Sequence, residues 1–140
     1  MASVMLAAYP EIFAGVAIIA GLPYGAATSI LGALALMKGQ KFPSDGDLQS
    51  LLRSASPHKG TWPKISVWHG SVDHTVALAN TSAIISQWRG VHDVSINPDQ
   101  AEQIEGYPHR VWRDASGRDV IKEFIITGME HGAPVQPGGQ

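Results

Sequence analysis

The sequence predicts a three-layer α/β fold with a mostly parallel sheet and a hairpin near the C-terminus. Three observations carry this. The continuous apolar run Ile12-Phe13-Ala14-Gly15-Val16-Ala17-Ile18-Ile19-Ala20-Gly21 has the length and composition of a strand buried on both faces. A second short strand, Lys64-Ile65-Ser66-Val67-Trp68, is followed by a loop and then a helical pattern. Two further β-type runs, Arg110 to Asp114 and Val120 to Ile126, flank a Gly-containing loop. Buried strands that alternate with helices call for helices packed on the faces of a sheet.

Each element has a local reason. Met1 to Ala8 is rich in Ala, Met and Leu, which are strong helix formers, and Pro10 stops it. No capping residue leads into this helix, so the chain is expected to start inside an element. After the apolar strand, Leu22-Pro23-Tyr24-Gly25 is a turn or loop. Ala26 to Lys38 reads as a helix closed by Gly39. Asp45 to Arg53 reads as another, with Ser44 or Asp45 as its cap and Leu48, Leu51 and Leu52 as its apolar face. The strand at Lys64 to Trp68 stops at His69-Gly70, where Gly70 permits a sharp exit at positive φ. Asn80 to Gly90 follows as a helix anchored by Ile84 and Trp88. Val91 to Glu105 is polar and is expected to be irregular. The hairpin turns through Ala115 to Asp119, and residues 135–140 are expected to form a loose tail.

Composition narrows the function. The 140 residues amount to one domain or part of one, and 44% are hydrophobic against 16% charged. A net charge of -2, with no run of lysine or arginine, gives no case for a nucleic-acid or membrane partner. The absence of cysteine rules out disulfides, a thiol nucleophile and a Cys-type zinc site. The first eight residues lack a basic region and Tyr9-Pro10-Glu11 interrupts them, so no signal peptide is expected in this chain. Ala26 to Met37 is too short to span a bilayer.

The chemistry gathers on two loops. Asp73 follows one strand and His131 follows another, where open α/β sheets place their reacting groups. An aspartate that orients an imidazole, and an imidazole that acts as general base, need such proximity. On its own, Asp73 also reads as a turn residue that bonds its own backbone. His69, Asp73, His74 and His131 are all metal-compatible. However, His69 and His74 share a tight loop without helical i, i+4 spacing, so no metal site is expected. His74 either lines the site or packs against it. Tyr24 is placed either to line a pocket or to pack. Trp68 and Trp88 read as core, and His58, His92 and His109 as solvent-facing loop residues.

Four stretches carry a resemblance. They are Met1-Ala2-Ser3-Val4-Met5-Leu6-Ala7-Ala8-Tyr9-Pro10, Phe13 to Gly21, His69-Gly70-Ser71-Val72-Asp73-His74-Thr75-Val76 and Gly128-Met129-Glu130-His131-Gly132-Ala133-Pro134. Together they resemble the C-terminal part of the polyhydroxybutyrate-depolymerase and feruloyl-esterase-like group of α/β-hydrolases. In that light the first stretch is the helix after the nucleophile serine, the second is the next core strand, and the last two are the acid and histidine loops. The resemblance implies that residues 1–140 form the C-terminal part of one α/β-hydrolase domain. It makes Asp73 the triad acid and His131 the triad base of a serine esterase. The substrate would be a polyhydroxyalkanoate-type polyester or a feruloyl ester, no cofactor would be needed, and the intact protein would be extracellular or periplasmic.

The chain departs from the family pattern in one large respect. The family's Gly-x-Ser-x-Gly elbow is expected just upstream of Met1, and no such motif occurs in the sequence. Ser3 lies inside a helix and is no substitute. Glu130 stands where the pattern has a small residue. The chain alone is therefore expected to be inactive. The alternative is a catalytically dead hydrolase-fold remnant that serves as a binding or interaction module. With no neighbour for the strand Val16 to Ala20, the chain is expected to self-associate through that edge or to need the missing half.

Overall fold

The computed structural model describes residues 1–135, so most of the expected tail lies outside the described residues. The elements are α1 (Ala2–Ala8), β1 (Gly15–Ile19), α2 (Ile30–Met37), α3 (Asp45–Ser54), β2 (Lys64–Gly70), α4 (Ala79–His92), β3 (Gln100–Ile104), β4 (Tyr107–Arg113) and β5 (Asp119–Ile126). Their strands form one sheet in the order β1-β2-β5-β4-β3. The strands β1, β2 and β5 run parallel, while β4 and β3 return antiparallel.

Register explains where the core lies. One row across the sheet reads Val16, Ile65, Ile121, Trp112, and the next Ile18, Val67, Glu123, Arg110. Leu6 and Ala7 of α1, Leu52 of α3, and Ile84, Ile85 and Trp88 of α4 pack with these apolar residues. Burying one side chain such as Ile84 contributes about 2 kcal/mol. Glu123 is buried in this face, and it is tolerated because the Arg110 guanidinium donates to both its oxygens. On the opposite face Trp68 stacks on Phe124 at 3.9 Å between centroids, and Phe124 meets His109 at 4.3 Å.

Several expectations are corrected. The strand in the first apolar run is not buried on both faces, because β1 is an edge strand paired only with β2. Within it only Ile18 is buried, while Ala17 and Ile19 are exposed. The first central helix begins at Ile30 rather than Ala26, since the Ser29 hydroxyl caps it by accepting from Gly32 N–H at 3.0 Å. Gly90 does not end α4, which continues to His92 and closes on Asp93 at φ 53. The stretch expected to be irregular holds β3, which pairs with β4 through a turn at Glu105 (φ 52) and Gly106 (φ 84). Two positive φ values at the turn match the twist of a two-residue hairpin, and the pairing carries a strand whose side chains are mostly polar. Nor are the three outlying histidines free in solvent. His109 is buried on β4, His92 Nε2 is bonded to the Pro63 carbonyl at 3.0 Å, and His58 Nε2 to that of Thr61 at 3.0 Å.

Candidate active site

The strands β2 and β5 are parallel neighbours, and Gly70 stands opposite Ile126 where both end. Their C-terminal loops therefore leave from the same sheet edge. Backbone bonds stitch the loops together. Ser71 N–H donates to Ile126 O at 3.0 Å and Val72 N–H to Met129 O at 3.2 Å. The Ser71 hydroxyl accepts from Gly128 N–H at 2.9 Å.

Gly70 makes this approach feasible. The positive φ expected there from sequence is not found. What matters is space: a Cβ there would fall 2.7 Å from the Glu130 oxygen and closer still to the Met129 oxygen. The missing side chain lets the histidine loop lie on the acid loop.

Asp73 and His131 meet through this stitching. The Asp73 Oδ2 to His131 Nδ1 distance is 2.9 Å. Asp73 Oδ1 accepts from Thr75 N–H at 2.9 Å and Val76 N–H at 2.8 Å. Burial works to raise the Asp73 pKa. The Val76 N–H, the His131 hydrogen bond, the Thr75 N–H and the His131 charge together overcome it and hold the carboxyl below its ordinary value. Asp73 is thus both a turn residue bonded to its own loop and the partner of His131. An ionised carboxylate can only accept, so it fixes the imidazole hydrogen on Nδ1 and leaves Nε2 able to take a proton.

His131 is partly exposed and lines a cleft of about 460 Å³ with Met1, Ser3, Ile18, Tyr24 and Val76, among others. The hydroxyl of Ser3 is engaged, donating to Leu22 O at 3.1 Å. Tyr24 is held by its backbone: its N–H donates to Gln87 Oε1 at 2.8 Å and its carbonyl accepts from Gln87 Nε2 at 2.9 Å. His74 is exposed and stands outside the residues lining this cleft. A larger open depression, about 680 Å³, lies around Gly15, Lys64 and Lys122 and includes neither Asp73 nor His131. Among the described residues, no three His, Cys, Asp or Glu are grouped to hold a metal ion.

The sequence does not directly reveal the burial of two polar residues near this site. Gln87 is fully buried, with its amide spent on Tyr24 and Leu48. His69 is fully buried beside Asp73. The alternation Ile65, Val67, His69 was the available signal for His69, since it puts the imidazole on the core face.

Comparison with known proteins follows the same lines. Residues 1–106 match the family model described as Esterase PHB depolymerase. Poly(3-hydroxyalkanoate) depolymerase C of Paucimonas lemoignei is 42% identical over 139 residues, which cover 99% of this chain and 34% of that protein. Feruloyl esterase B of Talaromyces funiculosus is 27% identical over 142 residues, covering 96% of this chain and 39% of that one. The chain thus spans well under half the length of these relatives. An acetyl xylan esterase from Aspergillus awamori shares the fold, with a TM-score of 0.81 at 23% identity over 95% of this chain and 50% of that structure.

Proposed function

The chain belongs to the PHB depolymerase esterase family, and from that premise we propose that it supplies the acid and base of a serine esterase. Asp73 is the acid and His131 the base. The nucleophile is a serine in sequence preceding residue 1, and residues 1–140 are the C-terminal part of one α/β-hydrolase domain. The named relatives are carboxylic ester hydrolases. The higher identity to the poly(3-hydroxyalkanoate) depolymerase favours a polyester substrate over a feruloyl ester. The resemblance to this esterase group favours an extracellular or periplasmic setting for the intact protein. No helix among the described residues is long and apolar enough to cross a membrane.

The chemistry is acyl transfer. His131 Nε2 takes the serine proton as the hydroxyl attacks the ester carbonyl, then gives it to the departing alkoxide. Water repeats the sequence and frees the acid. Asp73 holds the imidazole in the required tautomer and stabilises its charged form. No cofactor enters this scheme.

One observation carries the reading. The 2.9 Å Asp73–His131 pair opens on a cleft that the first residues of the chain also line. A serine just before residue 1 would enter the same cleft. The test is hydrolysis of a p-nitrophenyl ester by this chain alone and by the chain preceded by a segment that carries a Gly-x-Ser-x-Gly elbow. The extended chain should turn over and the short one should not. An inert, well-folded extended chain would favour the interaction module instead.

A further inference from the structure

We propose that His69 is a positioning residue for the Asp73–His131 pair, a role that rests on that pair acting as acid and base. His69 is the penultimate residue of β2, the strand held between β1 and β5, and is fully buried. Its Nε2 lies 2.7 Å from the Val76 carbonyl oxygen and 3.4 Å from Asp73 Oδ2. The carbonyl can only accept, so Nε2 carries the hydrogen. His69 Nδ1 is buried with no hydrogen-bond partner among the described residues, so Nε2 alone carries the ring's hydrogen bonding.

The backbone of one residue, Val76, is gripped on both of its flanking peptides. Val76 N–H donates to Asp73 Oδ1, and the Val76 carbonyl accepts from His69. The loop that aims the carboxylate is therefore referenced to the central sheet rather than left to its own turn. The imidazole also stands 3.4 Å from Asp73 Oδ2, the same oxygen that pairs with His131 Nδ1 at 2.9 Å. His69 touches neither the cleft nor a reacting atom. It acts through Asp73 and Val76.

The readout is the hydrogen between His131 Nδ1 and Asp73, observed in the full chain as a downfield imidazole N–H resonance. Its exchange with water is measured below the thermal transition. Asp73→Asn should abolish the resonance. His69→Phe keeps a flat ring but cannot donate, and should speed exchange about fivefold, the factor set by losing one net hydrogen bond. His69→Gln can place an amide N–H near the Nε2 position and should restore slow exchange. His69→Asn reaches only the Nδ1 position and should not. If the resonance is present and lost in Asp73→Asn, but exchange is unchanged in folded His69→Phe or His69→Asn, the positioning role is overturned. Rapid exchange in His69→Gln equal to that in His69→Asn overturns it as well. If the unaltered chain shows no such resonance, the acid–base pair itself fails, which is a separate outcome.

Discussion

Gly70→Ala isolates the contact that joins the two loops. Gly70 does not have positive φ, so alanine can adopt its backbone without strain. The added methyl would instead fall 2.7 Å from both the Glu130 oxygen and the Met129 carbonyl carbon. A comfortable carbon contact is about 3.5 Å, so the Met129–Glu130 backbone must retreat by at least roughly 0.8 Å. Overpacking of this kind costs about 1–3 kcal/mol. Loss of the Val72 N–H to Met129 O bond adds about 1 kcal/mol. At roughly 3 °C per kcal/mol, a loss of about 2–4 kcal/mol lowers Tm by about 6–12 °C. Because His131 follows Glu130 directly, its bond to Asp73 should lengthen and the downfield resonance should disappear. Gly128→Ala is the control on the same loop. Gly128 has φ 78, with nothing within 4 Å of a built Cβ. It should cost only about 1–2 kcal/mol of backbone strain and spare the resonance. The assay is a thermal melt with proton NMR on each variant. A Gly70→Ala chain with unchanged Tm and an intact resonance would refute the idea that the loops are positioned by close approach.

Three other outcomes follow from the same structure. The folded-state pKa of Asp73 lies below its ordinary value of 3.8, so its stabilisation is present above that value and lost as pH falls through the folded one. Urea unfolding across this acid range should show a limb that Asp73→Asn flattens, and an identical acid limb in the variant would contradict this. Gln87→Leu strips partners from the half-buried Tyr24 and buried Leu48 backbones and should cost about 2–4 kcal/mol in urea unfolding. A loss under half that would mean the Tyr24 loop is held by other contacts. The outer edge of β1 carries no charge or proline, and Ile19 is 41% exposed, so the chain is expected to self-associate there. Light scattering should report association that Ala17→Lys weakens, whereas a monomer at all concentrations would sink the idea.

How much of this was legible depended on whether neighbouring residues or distant ones decided the outcome. The helix at Asp45 could be read because Ser44 caps it locally, its hydroxyl accepting from Asp47 N–H. The hairpin of β4 and β5 was legible because Asp114 and Gly117 build its turn from within the turn itself. The strand β3 was not, because Gln-Ala-Glu-Gln-Ile carries little strand signal and is held by its pairing with β4. The depth of β1 was misjudged because apolarity records a preference for burial, while sheet order decides what covers a strand. The meeting of Asp73 and His131 was readable from their positions after strands. The contacts of Gly70, His69 and Gln87 are to atoms far away in sequence or across a loop. No spacing rule reports such contacts.

The central claim is that Asp73 orients His131 for proton transfer to and from a serine. It is tested most directly by Asp73→Asn in the chain preceded by a nucleophile-bearing segment, with kcat and KM measured separately on a p-nitrophenyl ester. Asparagine keeps the shape but favours the wrong imidazole tautomer, so kcat should fall by about 10⁴ with KM nearly unchanged. A folded Asp73→Asn enzyme with kcat close to that of the unaltered chain would contradict the account.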